Sequence, residues 1–154
     1  MRITPGDFES PEVRSLISDH LQEMRATSPA CSVHALDLTK MRDPRLSFWT
    51  VWAHSDADER LAGCGALKDL DGEGEIKTMR TVPVMRGRGV ARLMLEHIIS
   101  QARARNFSRV SLETGSQDFF SPARSLYYAH GFTECPPFGD YTEDPNSVFM
   151  TLAL

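Results

Sequence analysis

Between Glu75 and Thr114 the chain changes its hydrophobic period twice, and that change restricts the fold more than any other feature of the sequence. Glu75 to Val82 alternates as a strand, and Pro83 to Gly89 cannot continue it. From Val90 the apolar residues Ala91, Met94, Leu95, Ile98 and Ala102 recur on one helical face until Asn106, and Val110 to Thr114 is again a short strand. Strand, turn, helix and strand in that order have the length of a βαβ crossover, which joins parallel strands.

The flanking segments build the rest of a sheet. Ser47 to His54 is dense in aromatic and β-branched residues, and Arg60 to Leu67, carrying Gly63 and Gly65, reads as a second strand. The turn Asp69 to Gly74 leads from it into the strand at Glu75, so the three form an antiparallel meander. Ser10-Pro11-Glu12 opens a helix in the favoured order of hydroxyl cap, proline and acid, with Val13, Leu16, Ile17, Leu21 and Met24 as its buried stripe. Between Ser28-Pro29 and Asp43-Pro44 only Val33 to Met41 has room for a short helix. Ser121-Pro122 repeats the cap-then-proline start of a helix through Leu126, Tyr127 and His130, which Gly131 ends. Phe132 to Cys135 and Ser147 to Leu152 finish as strands around the loop Pro136 to Pro145. The expectation is one α/β domain over residues 1–154, with a mixed sheet of six or seven strands flanked by about four helices.

Charge and cysteine usage narrow the function. The chain has 17 basic and 21 acidic residues, a net charge of −4, which argues against a polyanion such as nucleic acid as the main partner. Cys31, Cys64 and Cys135 are odd in number and far apart, with no spacing for a metal site, and are expected as reduced thiols in a cytoplasmic protein. No stretch approaches the ~20 apolar residues that a membrane span requires.

The chemistry concentrates in Val82 to Arg92. Two glycines between a strand end and a helix start leave bare N–H groups beside the positive end of a helix dipole, an arrangement that binds anions. Six arginines against the single acid Glu96 between Arg86 and Arg109 point to a phosphorylated ligand. A P-loop would need GxxxxGK[ST], which is absent, and a dinucleotide fold would place a glycine where Arg92 stands. The helix start instead reads R-x-x-G-x-A, through Arg86, Gly89 and Ala91. It resembles the acyl-CoA pyrophosphate loop of the GNAT superfamily of N-acetyltransferases. Ala123 to Phe132 resembles that family's A-x-x-L-Y-x-x-x-G-F segment, and Gly65-Ala66-Leu67 with Gly74 to Met79 and Pro136 to Tyr141 resembles a subgroup of small bacterial acetyltransferases.

The resemblance implies acetyl-CoA as co-substrate. The loop Arg86, Gly87, Arg88, Gly89, Val90 and Ala91 would hold its pyrophosphate, and the backbone of Met79, Arg80 and Thr81 would pair with the pantetheine arm. Arg124 and Tyr127 would complete the cofactor side. The backbone at Thr81 would donate to the thioester oxygen, and Tyr127 would protonate the departing thiolate. Glu75 is the candidate base, placed by strict alternation on the face of Lys77, Met79 and Thr81, with pairing to Lys77 as its structural alternative. The expected reaction is direct transfer to the amine of a small molecule or peptide in a ternary complex, without a metal. A non-catalytic acyl-CoA-binding module is the alternative, and family habit leaves a homodimer open. The first helix and the loop carrying Phe138 and Tyr141 are the expected walls of the acceptor pocket. Cys64, Trp49 and Trp52 read as packing residues, and His130 as a helix end.

Overall fold

A computed structural model describes residues 1–154. The elements in chain order are β1 (Arg2–Pro5), α1 (Pro11–Thr27), β2 (Leu46–His54), β3 (Glu59–Asp69), β4 (Gly74–Thr81), α2 (Val90–Ala104), β5 (Arg109–Gly115), α3 (Ser121–Ala129), β6 (Thr133–Glu134) and β7 (Ser147–Ala153). All seven strands form one sheet in the order β1-β2-β3-β4-β5-β7-β6, antiparallel except for the β4–β5 pair. The meander and the crossover therefore stand as the periodicity predicts.

Each face of the sheet carries its own core. On one side α2 lays Val90, Met94, Leu95 and Ile98 over Leu67, Ile76 and Val110, with Tyr127 and Phe132 at the end of the cluster. On the other, Val13, Leu16 and Ile17 of α1 cover Phe48, Leu61, Cys64 and Ala66. Gly65 sets the spacing on the α2 side: a Cβ there would lie 2.6 Å from Met94 Cγ, so only glycine lets the helix approach this closely.

Three local expectations are corrected. Three α-helices flank the sheet rather than about four, because Val33 to Met41 does not become a helix. Short 3₁₀ turns at Ala30–Ser32 and Lys40–Arg42 bracket an irregular stretch, where the Asp37 carboxylate accepts the Lys40 N–H at 2.9 Å and competes with helical bonding. Ser10 makes no cap bond; the Asp7 carboxylate, accepting from the Glu9 N–H at 2.9 Å, closes the turn that enters α1. Ser121 lies inside α3 and caps nothing. Strand β1 is additional: four residues ending in proline carry little local signal, and they become a strand because Trp49 to Trp52 of β2 offers them an edge.

Candidate active site

Strands β4 and β5 pair only at Gly74↔Val110 and Glu75↔Ser111 and then part, while β4 stays on β3 as far as Thr81 and β5 stays on β7 as far as Gly115. The split exposes one edge of β4. The N–H of Val82 donates to Ala62 on the β3 side at 2.8 Å, and successive residues of a strand turn their amides to opposite sides, so the Thr81 N–H faces the gap. A cavity of about 660 Å³ fills this gap and runs from the start of α2 to the segment after α1.

At one end of the cavity lies the glycine loop. Gly87 and Gly89 take φ of +74° and +81°, and a Cβ on either would meet no protein atom within 4 Å. No side chain caps α2, whose first residues therefore present their N–H groups to the cavity. Arg86 and Arg92 line the opening beside Gly87, Gly89, Val90 and Ala91. These residues fit a diphosphate group: the donors are backbone amides, two cations flank them, and the glycines leave room. The side chains of the other four arginines of the run, Arg88, Arg103, Arg105 and Arg109, lie outside the cavity. Arg88 is exposed outside the cavity, Arg105 stacks over Trp49, and Arg109 pairs with Glu73. Arg124 is also turned away, its Nη1 donating to the carbonyls of Gly115 at 2.6 Å and Gln117 at 3.0 Å, which fixes the turn before α3.

In the middle of the cavity the β4 register slips. Lys77 pairs with Ala66 and Arg80 with Cys64, so Thr78 and Met79 together oppose Gly65, and Thr78 takes a left-handed φ of +52°. This bulge overturns the strict alternation expected for Glu75. Met79 packs with the α2-side core, whereas Lys77 and Arg80 fall opposite Ala66 and Cys64 on the α1 side. Arg80 there forms a short ion pair with Glu23 of α1. Burial first, and then the Arg80 charge, lower the neighbouring His20 to about 4, and its Nδ1 has no partner.

Tyr127 projects from α3 into the same cavity, and burial, helped by the Glu113 charge, pushes its hydroxyl up to about 12. The phenol therefore carries its proton at physiological pH. Glu75 is buried, with its Oε1 accepting from Tyr141 Oη at 2.5 Å and from Lys77 Nζ at 3.1 Å. Lys77 Nζ also donates to Tyr141 Oη at 2.9 Å, closing a triangle. Burial, then the charge of Glu75, raise the Tyr141 phenol far above its ordinary value.

Glu113, inside the strand that the sequence places at Val110 to Thr114, lines the cavity near Tyr127. Burial raises its pKa, against smaller opposing contributions from Ser147 and Lys77. Since Lys77 is engaged by Glu75, Glu113 has no ion-pair partner. No sequence signal separates Glu113 from an ordinary strand residue; only the parting of β4 and β5 opens its side chain to a cavity. Cys64 is inert, its thiol pushed up to about 12 by burial, while Trp49 packs in the core and His130 closes α3 by contacting the Leu126 carbonyl at 2.8 Å. No group of His, Cys, Asp and Glu side chains is arranged to hold a metal, and no helix is long and apolar enough to cross a membrane.

Known proteins resemble this chain in sequence and in fold. Residues 13–132 match the sequence model of the Acetyltransferase (GNAT) family. A protein of Bacillus subtilis (strain 168) named uncharacterized N-acetyltransferase YsnE is 52% identical, over 100% of both chains. Among solved structures, a Klebsiella pneumoniae subsp. pneumoniae chain described as an acyl-CoA N-acyltransferase superposes with a TM-score of 0.77 at 29% identity, over 99% of this chain and 97% of that one. A Bacillus subtilis acetyltransferase in complex with CoA shares the fold at a TM-score of 0.67 and 18% identity, over 99% and 98% of the two chains.

Proposed function

The chain belongs to the GNAT family of acetyltransferases, and on that premise we propose that it transfers an acetyl group from acetyl-CoA to the amine of a small molecule or peptide in a ternary complex. The observation that carries this reading is the uncapped start of α2, with its two left-handed glycines, placed at one end of the gap where β4 and β5 separate. Bound there, acetyl-CoA supplies an activated acetyl thioester. The amides from Gly87 to Ala91, with Arg86 and Arg92 beside them, hold the diphosphate. The freed edge of β4 pairs with the pantetheine arm as an added strand would, and the Thr81 amide is aimed at the reacting carbonyl oxygen. Such a donor is worth about 10²–10³ in rate.

Tyr127 donates the proton that the leaving thiolate takes up. Two carboxylates serve the acceptor side. Glu75 retains the base role only through an exchange with Lys77 and Tyr141, whereas the unpaired Glu113 stands open to the cavity, which favours Glu113 as the group that accepts the amine's proton. The test is release of CoA thiol with a panel of amines. Glu113→Gln is expected to lower kcat by about 10²–10⁴ with little change in the KM for acetyl-CoA, and Glu75→Gln to lower it less. The acid limb of kcat/KM is expected above the ordinary carboxylate range, because activity is lost as pH falls through the raised pKa of Glu113. Absence of both CoA binding and amine-dependent thiol release would overturn the reading.

A further inference from the structure

We infer that the acceptor is a small polar amine and not a polypeptide, an inference that rests on the acetyl-transfer reading and deepens it. The acceptor side of the cavity is closed by a clasp joining three segments remote in sequence. Ser32, in the turn after α1, donates to Asp144 Oδ2 at 2.5 Å and accepts from Asn146 Nδ2 at 3.4 Å, both in the loop before β7. From the turn after β5, Gln117 Nε2 donates to Asn146 Oδ1 at 3.1 Å and to Ser28 Oγ at 3.4 Å. Behind this line the His34 ring meets the Tyr141 ring edge-on at 4.9 Å, and Tyr141 is tied in turn to Glu75 and Lys77.

The clasp matters because of widths. An extended peptide laid beside existing chain needs a lane of about 4.8 Å on each side. Here the segment after α1 and the loop before β7 are in hydrogen-bond contact, so no lane runs between them across the acceptor side. Behind them the chamber presents polar groups: Ser32, His34, Lys77, Glu113, Tyr141 and Asn146. Ser32, Lys77, Tyr141 and Asn146 already bond to protein groups, so an acceptor meets the free capacity of His34 and Glu113, which an apolar amine would leave unmatched and a polar one of few atoms can satisfy. The unpaired Glu113 carboxylate suits the ammonium of such a molecule as it enters.

The experiment compares wild-type protein with acetyl-CoA on free amino acids, ethanolamine, putrescine and an unblocked hexapeptide, read by thiol release and by mass of the product. At least one small amine is expected to exceed the peptide in kcat/KM by roughly a hundredfold. In Ser32→Ala/Asn146→Ala, which removes the clasp and leaves the transfer residues in place, the acceptor KM is expected to rise about tenfold with the KM for acetyl-CoA unchanged. A peptide acetylated as well as every small amine overturns the inference, and so does an unchanged acceptor KM in the clasp variant. Calorimetry with acetyl-CoA separates the two levels. No binding removes the acetyl-transfer reading and this inference with it, whereas binding together with preferred peptide acetylation removes this inference alone.

Discussion

Replacing Gly89 by alanine tests the diphosphate site with a single methyl group. Gly89 stands immediately before α2 at a φ of +81°, and a Cβ there meets no protein atom within 4 Å. Inside the protein the substitution therefore carries the cost of left-handed backbone on an L residue, about 1–2 kcal/mol, and no packing cost. For a chain of this length that corresponds to a fall in Tm of about 2–8 °C. Gly72, in the turn between β3 and β4, has a φ of +98° and an equally free Cβ position, so Gly72→Ala carries the same backbone cost away from the cavity. The two variants should lose similar Tm, but only Gly89→Ala places a methyl where the diphosphate lies. Its KM for acetyl-CoA should rise about tenfold, equivalent to about 1.4 kcal/mol. Thermal unfolding gives an independent reading: CoA at one hundred times the wild-type Kd stabilises the native state by about 2.7 kcal/mol, and a tenfold weaker Kd halves that to about 1.4 kcal/mol. If Gly89→Ala and Gly72→Ala show the same KM and the same CoA-induced shift in Tm, the ligand does not sit on this helix end and the reasoning fails.

Three further outcomes are expected. Arg86→Ala should raise the KM for acetyl-CoA about threefold to tenfold with little change in Tm, since the exposed guanidinium has only a loose 3.9 Å contact with Glu23; added salt should narrow the gap from wild type. Tyr127→Phe should lower kcat about 10²-fold at constant KM for acetyl-CoA. Because the Tyr127 hydroxyl lies at about 12 in the folded protein, above its ordinary value of 10.0, wild type should keep its full stability up to pH 10 and lose part of it as pH rises toward 12. The phenylalanine variant should lack that loss in alkaline melts. His20 is the opposite case: lowered from 6.5 to about 4, it is neutral in the fold, so stability is complete above pH 6.5 and declines as pH falls toward 4. His20→Gln should flatten the Tm profile over that interval, and an unaltered profile would count against the burial of that ring.

What could be read from the chain is what repeats locally. Alternation marked β2 to β5, the helical period marked α1 and α2, and the two glycines before Val90 marked the loop that opens onto the cavity, because each of these properties depends on residues a few positions apart. The weaker signals misled for equally local reasons. Ser10 occupies the cap position of α1 but its hydroxyl makes no bond there, Ser121 falls inside α3, and the arginine run of residues 86–109 counts charges without regard to the side of α2 on which each emerges.

The sequence by itself determined the strand–loop–helix–strand order, the two glycines before α2 and, with the segment Ala123 to Phe132, the family resemblance. Only the tertiary structure decided the bulge at Thr78 and Met79, the pairing of Arg80 with Glu23, the capture of Glu75 by Tyr141 and the clasp from Ser32 to Asp144. Those contacts join positions 57, 66 and 112 residues apart. Their formation depends on how the sheet splits and which segments fold over the split, and a one-dimensional pattern carries no record of either.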